Sequence, residues 1–130
     1  MARELIEGLN ASLEAPDEVA CGRRVTFRLA LRNSSSRSVD LHLRGRKPTL
    51  DIMVSNARGD IVWHRLAGSA IPASLQLYTL AAGETLTVSA IWDPGPDHEM
   101  PSPGSYVVSA SLLTEGPAIE APARQLRITA

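Results

Sequence analysis

Three adjoining stretches decide the fold: GETLTVSAIW (residues 83–92), DPGPDHEMPSP (93–103) and GSYVVSASLL (104–113). In the first, Leu86, Val88, Ala90 and Trp92 alternate with Thr85, Thr87 and Ser89. In the third, Tyr106, Val108, Ala110 and Leu112 repeat the pattern. A period of two marks a half-buried strand, because successive side chains leave a pleated backbone on opposite faces. Two strands therefore flank a loop at 93–103 that holds four of the nine prolines. Hairpin loops usually run two to five residues. A long, proline-stiffened loop between two strong strands is the first candidate for function.

Outward from this centre the same period recurs. Leu9, Ala11 and Leu13 alternate in a first strand, ended by Pro16 and Asp17, with Cys21 and Gly22 in the following turn. Residues 25–33 place Val25, Phe27, Leu29 and Leu31 on one face. Residues 33–36 form a polar turn, whose short side chains bond the local backbone. Val39, Leu41 and Leu43 mark another strand, and Leu50, Ile52 and Val54 the next. Residues 56–60 read as a hairpin connection in which Gly59 supplies positive φ, with 61–63 as the returning strand. Residues 65–74 lack a period and contain Gly68 and Pro72, so they read as loop. Residues 75–80 form a short strand, and 118–130 a last one interrupted at Pro122, where proline implies an edge or bulge. Eight or nine short strands at about ten-residue spacing, without a helix, predict an all-β antiparallel sandwich of about eight strands.

The totals fit one domain of 130 residues, 44% hydrophobic and 21% charged. A net charge of −1, with twelve arginines and one lysine dispersed, provides no field for nucleic acid or an anionic membrane. The N-terminus lacks the apolar run of a signal peptide, and no stretch approaches the roughly 18 apolar residues of a membrane helix. With one cysteine, no internal disulfide forms, which fits a reducing compartment. A cytoplasmic monomer is expected, secretion remaining open if a signal peptide had been removed.

The chemistry-bearing residues do not assemble into a catalytic motif. His42, His64 and His98 are unpaired at metal-ligand spacing, and surface roles are their ordinary reading. Asp93, Asp97, His98 and Glu99 crowd the loop, but no Ca²⁺-loop pattern accompanies them. The serines lack a nucleophile elbow and the glycines are single turn residues. Cys21 reads as a small turn thiol rather than a nucleophile. Arg44, Arg46 and Lys47, with Arg37, form a basic patch without interleaved aromatics. Core packing is expected for Trp63 and Trp92. No enzyme, cofactor or metal is expected.

Residues 103–106, Pro-Gly-Ser-Tyr, resemble the tyrosine corner of immunoglobulin-like domains. Together with Val25-x-Phe27, Asn33-Ser34-Ser35, residues 59–63 (GDIVW), Leu80-x-x-Gly83-Glu84 and Trp92-Asp93, they make residues 24–113 resemble the BsuPI-type intracellular proteinase inhibitors of bacteria. The resemblance implies an immunoglobulin-like sandwich that restrains an intracellular subtilisin-like serine protease. The loop then supplies the expected contact residues: Asp93, Pro94, Pro96, His98, Glu99, Met100 and Pro101. Met100 suits a hydrophobic specificity pocket, and Pro101 after it resists cleavage. Leu66 and Ile71 in the 65–74 loop form a rival contact surface. The alternative is a fibronectin-like or immunoglobulin-like binding module without inhibitory activity. A sugar-binding sandwich would expose more aromatics than the five present.

Overall fold

Among the described residues, eleven strands result from this alternation. The computed structural model describes residues 8–94 and 101–130. β1 (Leu9–Glu14), β3 (Val25–Asn33) and β8 (Thr85–Trp92) form a three-stranded sheet in the order β1-β3-β8. The larger sheet runs β2 (Glu18–Ala20), β11 (Arg124–Thr129), β9 (Gly104–Leu112), β5 (Leu50–Asn56) and β6 (Ile61–His64), with β10 (Ile119–Glu120) also on β9. β4 (Val39–Arg44) and β7 (Leu75–Leu80) make a separate two-stranded ribbon. No helix occurs among the described residues.

The expected sandwich is present, with two refinements. Pairing is antiparallel except where β2 runs parallel to β11, Val19 beside Ile128. The final strand divides around residues 121–123 into β10 and β11. Pro122 accounts for the break, because it lacks the N–H that a continuous ladder requires.

The core lies between the two main sheets. β3 buries Val25, Phe27, Leu29 and Leu31, and β8 adds Leu86, Ala90 and Trp92. Opposite them stand Leu50, Ile52 and Val54 from β5, Tyr106, Val108, Ala110 and Leu112 from β9, and Leu126 and Ile128 from β11. Each buried leucine or isoleucine contributes about 1.5–3 kcal/mol of transfer free energy. Sequence alternation thus becomes cohesion between sheets.

Asn33 is the single fully buried polar side chain among the described residues, at 0% exposure. It sits where the β3/β8 pair gives way to the β4/β7 ribbon. Its Nδ2 donates to the Arg37 carbonyl (2.7 Å) and the Leu80 carbonyl (2.9 Å). Its Oδ1 accepts from Ser35 N (3.0 Å) and Ser35 Oγ (2.6 Å). Its own N–H donates to Glu84 O (2.9 Å), and its carbonyl accepts from Gly83 N (2.7 Å). One amide therefore ties two turns and two strand ends. Ser34 N donates to Gly8 O at 2.8 Å, drawing the start of β1 onto the same turn. Gly8 has φ +88, and a Cβ there would stand 2.6 Å from Ser35 Cβ, so glycine is required at this approach.

Replacing Asn33 with leucine removes four side-chain hydrogen bonds while leaving their partners, the buried Leu80 carbonyl among them, in place. The expected loss is about 2–3 kcal/mol of unfolding free energy, with the urea m-value unchanged. Equilibrium urea denaturation followed by circular dichroism measures it.

Candidate functional site

The 93–103 loop leaves the sandwich beside an aromatic stack. Trp63, on the edge strand β6 of the large sheet, lies on Trp92 at the end of β8, with ring centroids 5.4 Å apart and planes inclined by 11°. Phe27 of β3 also stacks with Trp63, at 6.2 Å and 24°. Trp92 and Phe27 are buried, as core packing requires, whereas Trp63 is half-buried and shows one side to solvent.

Beside Trp63 is an open groove of about 780 Å³. Its lining includes Ile61, Val62, Ile91, Asp93, Pro101 and Tyr106. Ile61 and Ile91 are 56% and 53% exposed, so the rim offers apolar side chains among polar ones such as Arg58 and Asp93. The 56–60 hairpin forms one wall. Asn56 Oδ1 accepts from Arg58 N (2.9 Å) and Asp60 N (3.0 Å), and Gly59 takes φ +89 as the turn requires.

Separate contacts hold both ends of the loop. At the first, Asp93 Oδ2 pairs with an Arg24 guanidinium nitrogen at 3.5 Å, an exposed contact worth at most about 1 kcal/mol. Pro94 is buried. At the second, Cys21 Sγ–H donates to the Pro101 carbonyl at 3.3 Å. The Tyr106 hydroxyl donates to the Ser102 carbonyl at 2.5 Å. This is the tyrosine corner expected from Pro103-Gly104-Ser105-Tyr106, and Tyr106 itself is buried. Cys21 therefore acts as a turn thiol bonded to the loop base.

The structure brings Asp93 and Pro101 together at the groove. Pro96, His98, Glu99 and Met100 lie outside the described residues, as does Asp97. Leu66 and Ile71 do not line this groove. Their loop is fixed separately through Asp51, whose Oδ2 lies 2.8 Å from His64 Nε2 and whose Oδ1 accepts from Leu66 N at 3.3 Å. Leu66 is consequently half-buried, while Ile71 is 50% exposed. The basic patch is partly occupied by structural duties: Arg44 donates to the carbonyls of Thr114 (2.8 Å) and Pro72 (3.3 Å). Ile61, Val62 and Ile91 are the rim residues that alternation did not single out. The signal was available in the run Ile61-Val62-Trp63, where three consecutive large apolar residues cannot all face one core.

A scan against protein families matches residues 10–117 to BsuPI, described as intracellular proteinase inhibitor. The chain belongs to this family. The match reaches beyond the 24–113 segment that carries the sequence motifs and takes in β1. As a BsuPI protein the chain has a protease partner of some kind, and its family is described as intracellular. Among the described residues no helix is long and apolar enough to cross a membrane. A search of curated proteins finds no match. Among solved structures, a β-glucosidase from Listeria innocua superposes with a TM-score of 0.52 at 14% identity, over 94% of this chain and 16% of that one. The alkylpurine DNA glycosylase AlkC of Pseudomonas fluorescens does so at 0.51 and 14%, over 95% and 31%. A CARDB domain from Pyrococcus furiosus gives 0.49 and 15%, over 93% and 92%. At such identities the likeness concerns the fold alone.

Tyr106→Phe in this BsuPI domain removes the hydroxyl bond to Ser102 and keeps the buried ring. It is expected to cost about 1 kcal/mol in urea unfolding. Hydrogen exchange is expected to accelerate at the Ser102 and Gly104 amides more than in β5, Pro101 and Pro103 having no N–H.

Proposed function

We propose that this protein inhibits an intracellular, subtilisin-like serine protease in the cytoplasm, acting as its ligand rather than as an enzyme. Membership in the BsuPI family over residues 10–117 carries this reading. Both described ends of the 93–103 loop are anchored beside the groove, which supports the loop as the contact segment. A loop whose feet are held by Arg24, Cys21 and Tyr106, and whose φ angles are restricted at four prolines, has less freedom to lose on docking.

In this reading Asp93, Pro94, Pro96, His98, Glu99, Met100 and Pro101 form the contact segment. Met100 fills a hydrophobic specificity pocket and Pro101 resists cleavage after it. Leu66 and Ile71 are the rival surface, and Ile71 is exposed enough to serve. A second reading, a binding module without inhibitory activity, draws support from the solved structures. The chain spans only 16% and 31% of the β-glucosidase and the glycosylase, so similar sandwiches occur within longer chains.

Titration of the purified chain against subtilisin-type proteases, following peptide hydrolysis, tests the proposal. Saturable inhibition at micromolar chain or below is expected. Replacing residues 94–102 by a short Gly-Ser turn is expected to weaken inhibition by roughly a hundredfold or more, as loss of a binding hot spot does. Undiminished inhibition in that variant would move the contact to Leu66 and Ile71. No inhibition by an intact native chain would favour the module.

A further inference from the structure

The open edge of the β4/β7 ribbon has no part in the inhibitor reading. β7, with the sequence LQLYTL, pairs with β4 on one side, and no described strand pairs with the other. Backbone directions follow from the register. Gly45 N donates to Ser74 O at 2.9 Å, so residues 45 and 74 form a hydrogen-bonded pair. Such pairs alternate with non-bonded ones in an antiparallel ladder. Leu43↔Gln76, Leu41↔Tyr78 and Val39↔Leu80 therefore bond within the ribbon, while Arg44↔Leu75, His42↔Leu77 and Asp40↔Thr79 turn their backbone groups outward. β4 obeys this rule: Arg44 N donates to Leu113 O and His42 O accepts from Glu115 N, both at 3.1 Å. By the same rule Leu75, Leu77 and Thr79 aim three N–H and three C=O groups at the open edge.

Sheet edges are normally blunted by charge, proline, a bulge or short length. Here β1 carries Glu14, β2 has 3 residues, β10 has 2, and β6 has 4 opposite a register shift at Val54/Ser55. β7 has 6 residues and none of these defences, and the edge strand β8 is likewise uncharged, but β7 is the one whose exposed leucines lie side by side. Leu75 and Leu77, on the face shared with Thr79, are 42% and 60% exposed.

We propose that this edge pairs with the same edge of a second copy of the chain, antiparallel about a two-fold axis through Leu77. Self-complementarity is what selects a second copy as the occupant. The axis sets Leu77 against Leu77, and Leu75 against Thr79 of the second copy. Both members of every pair turn outward, so all three N–H and three C=O groups of each copy find partners. An axis between Leu77 and Tyr78 would set outward groups against inward ones. β7 has no charge to repel its own copy. Across the joined sheet, each outer row runs Arg44, Leu75, then Thr79 and Asp40 of the second copy, so opposite signs stand at its ends. The Leu77 side chains meet at the axis, removing from water the most exposed large apolar residue among those described. This departs from the monomer expected from the sequence. An edge contact is smaller than a standard interface of roughly 1,600 Å², so dimerisation is reversible and concentration-dependent.

Site-specific cross-linking tests both dimer and register. In a Cys21→Ser background, Leu77→Cys places two thiols on a pair whose Cα atoms lie about 5.5 Å apart, within the roughly 4.4–6.8 Å range of disulfides. Mild oxidation is expected to give a dimer on a non-reducing gel. Leu75→Cys is expected to give none, because its counterpart lies four residues along the strand, about 14 Å away. Light scattering of the native chain is expected to rise from 13.9 kDa towards twofold with concentration. Leu77→Lys is expected to hold it at the lower mass with an unchanged circular dichroism spectrum. A native chain that stays single up to millimolar concentration overturns the proposal. So does equal cross-linking at positions 75 and 77, or a Leu77→Lys chain that still doubles. If Leu77→Lys instead weakens protease inhibition by a chain that never dimerises, the edge belongs to the protease.

Discussion

The ring stack of Phe27, Trp63 and Trp92 closes one end of the sandwich. It joins β3 and β8 of one sheet to β6 of the other. Many immunoglobulin-like domains bridge their sheets with a disulfide, typically worth 2–4 kcal/mol. This chain has one cysteine and builds the bridge from apolar contact. Each stacked pair adds about 0.5–1.5 kcal/mol beyond the burial of its area, so the two pairs approach the lower disulfide figure before burial is counted. The stack works equally well where thiols stay reduced. It also sets the floor of the groove, because Trp92 is the last residue of β8 before the loop begins.

Asn33 does the corresponding work away from the groove by a different force. Rings hold the two sheets together where both are available; where β3 passes into the ribbon, the backbone turns and leaves carbonyls inside the protein. A buried amide with two donors and one acceptor oxygen meets that demand through the Arg37 and Leu80 carbonyls and Ser35. Its isostere aspartate would present acceptors to those carbonyls. The polar anchor thus fixes the ribbon's position, and with it the open β7 edge.

Much of this was legible in the residues, and the failures have physical causes. Strict alternation located β3 to the residue, 75–80 was placed to the residue as a short strand, and Pro122 divided the last strand. β2 escaped because a three-residue strand is shorter than any period that could reveal it. Its parallel pairing to β11 is a tertiary event without local signature. Alternation in LQLYTL shows that Leu75 and Leu77 share a face. It does not show that Leu80 and the half-buried Tyr78 take the inside while the leucines remain outside. At the candidate site, Pro-Gly-x-Tyr announced the tyrosine corner. The contact of Cys21 with Pro101 spans eighty residues and belongs to the fold alone.

A domain that meets proteases faces a specific constraint: its exposed segment must be accessible without being loose. Cleavage requires a chain to adopt an extended path in the cleft and then separate its new ends. Backbone ordering costs about 1–2 kcal/mol per residue, so a long free loop would pay heavily to bind and separate readily once cut. In the proposed reading, the contacts at the base of 93–103 act on both counts. Tyr106 and Cys21 grip the carbonyls of Ser102 and Pro101 through a buried ring and a half-buried thiol, which move only if β9 or the turn before β3 moves. Their hold thus draws on the cohesion of the core, whereas the Arg24–Asp93 pair, open to solvent, contributes little of it. The second end of the loop is therefore the firmer one, and Pro101 and Ser102 are better placed than Asp93 to keep a fixed position against a partner.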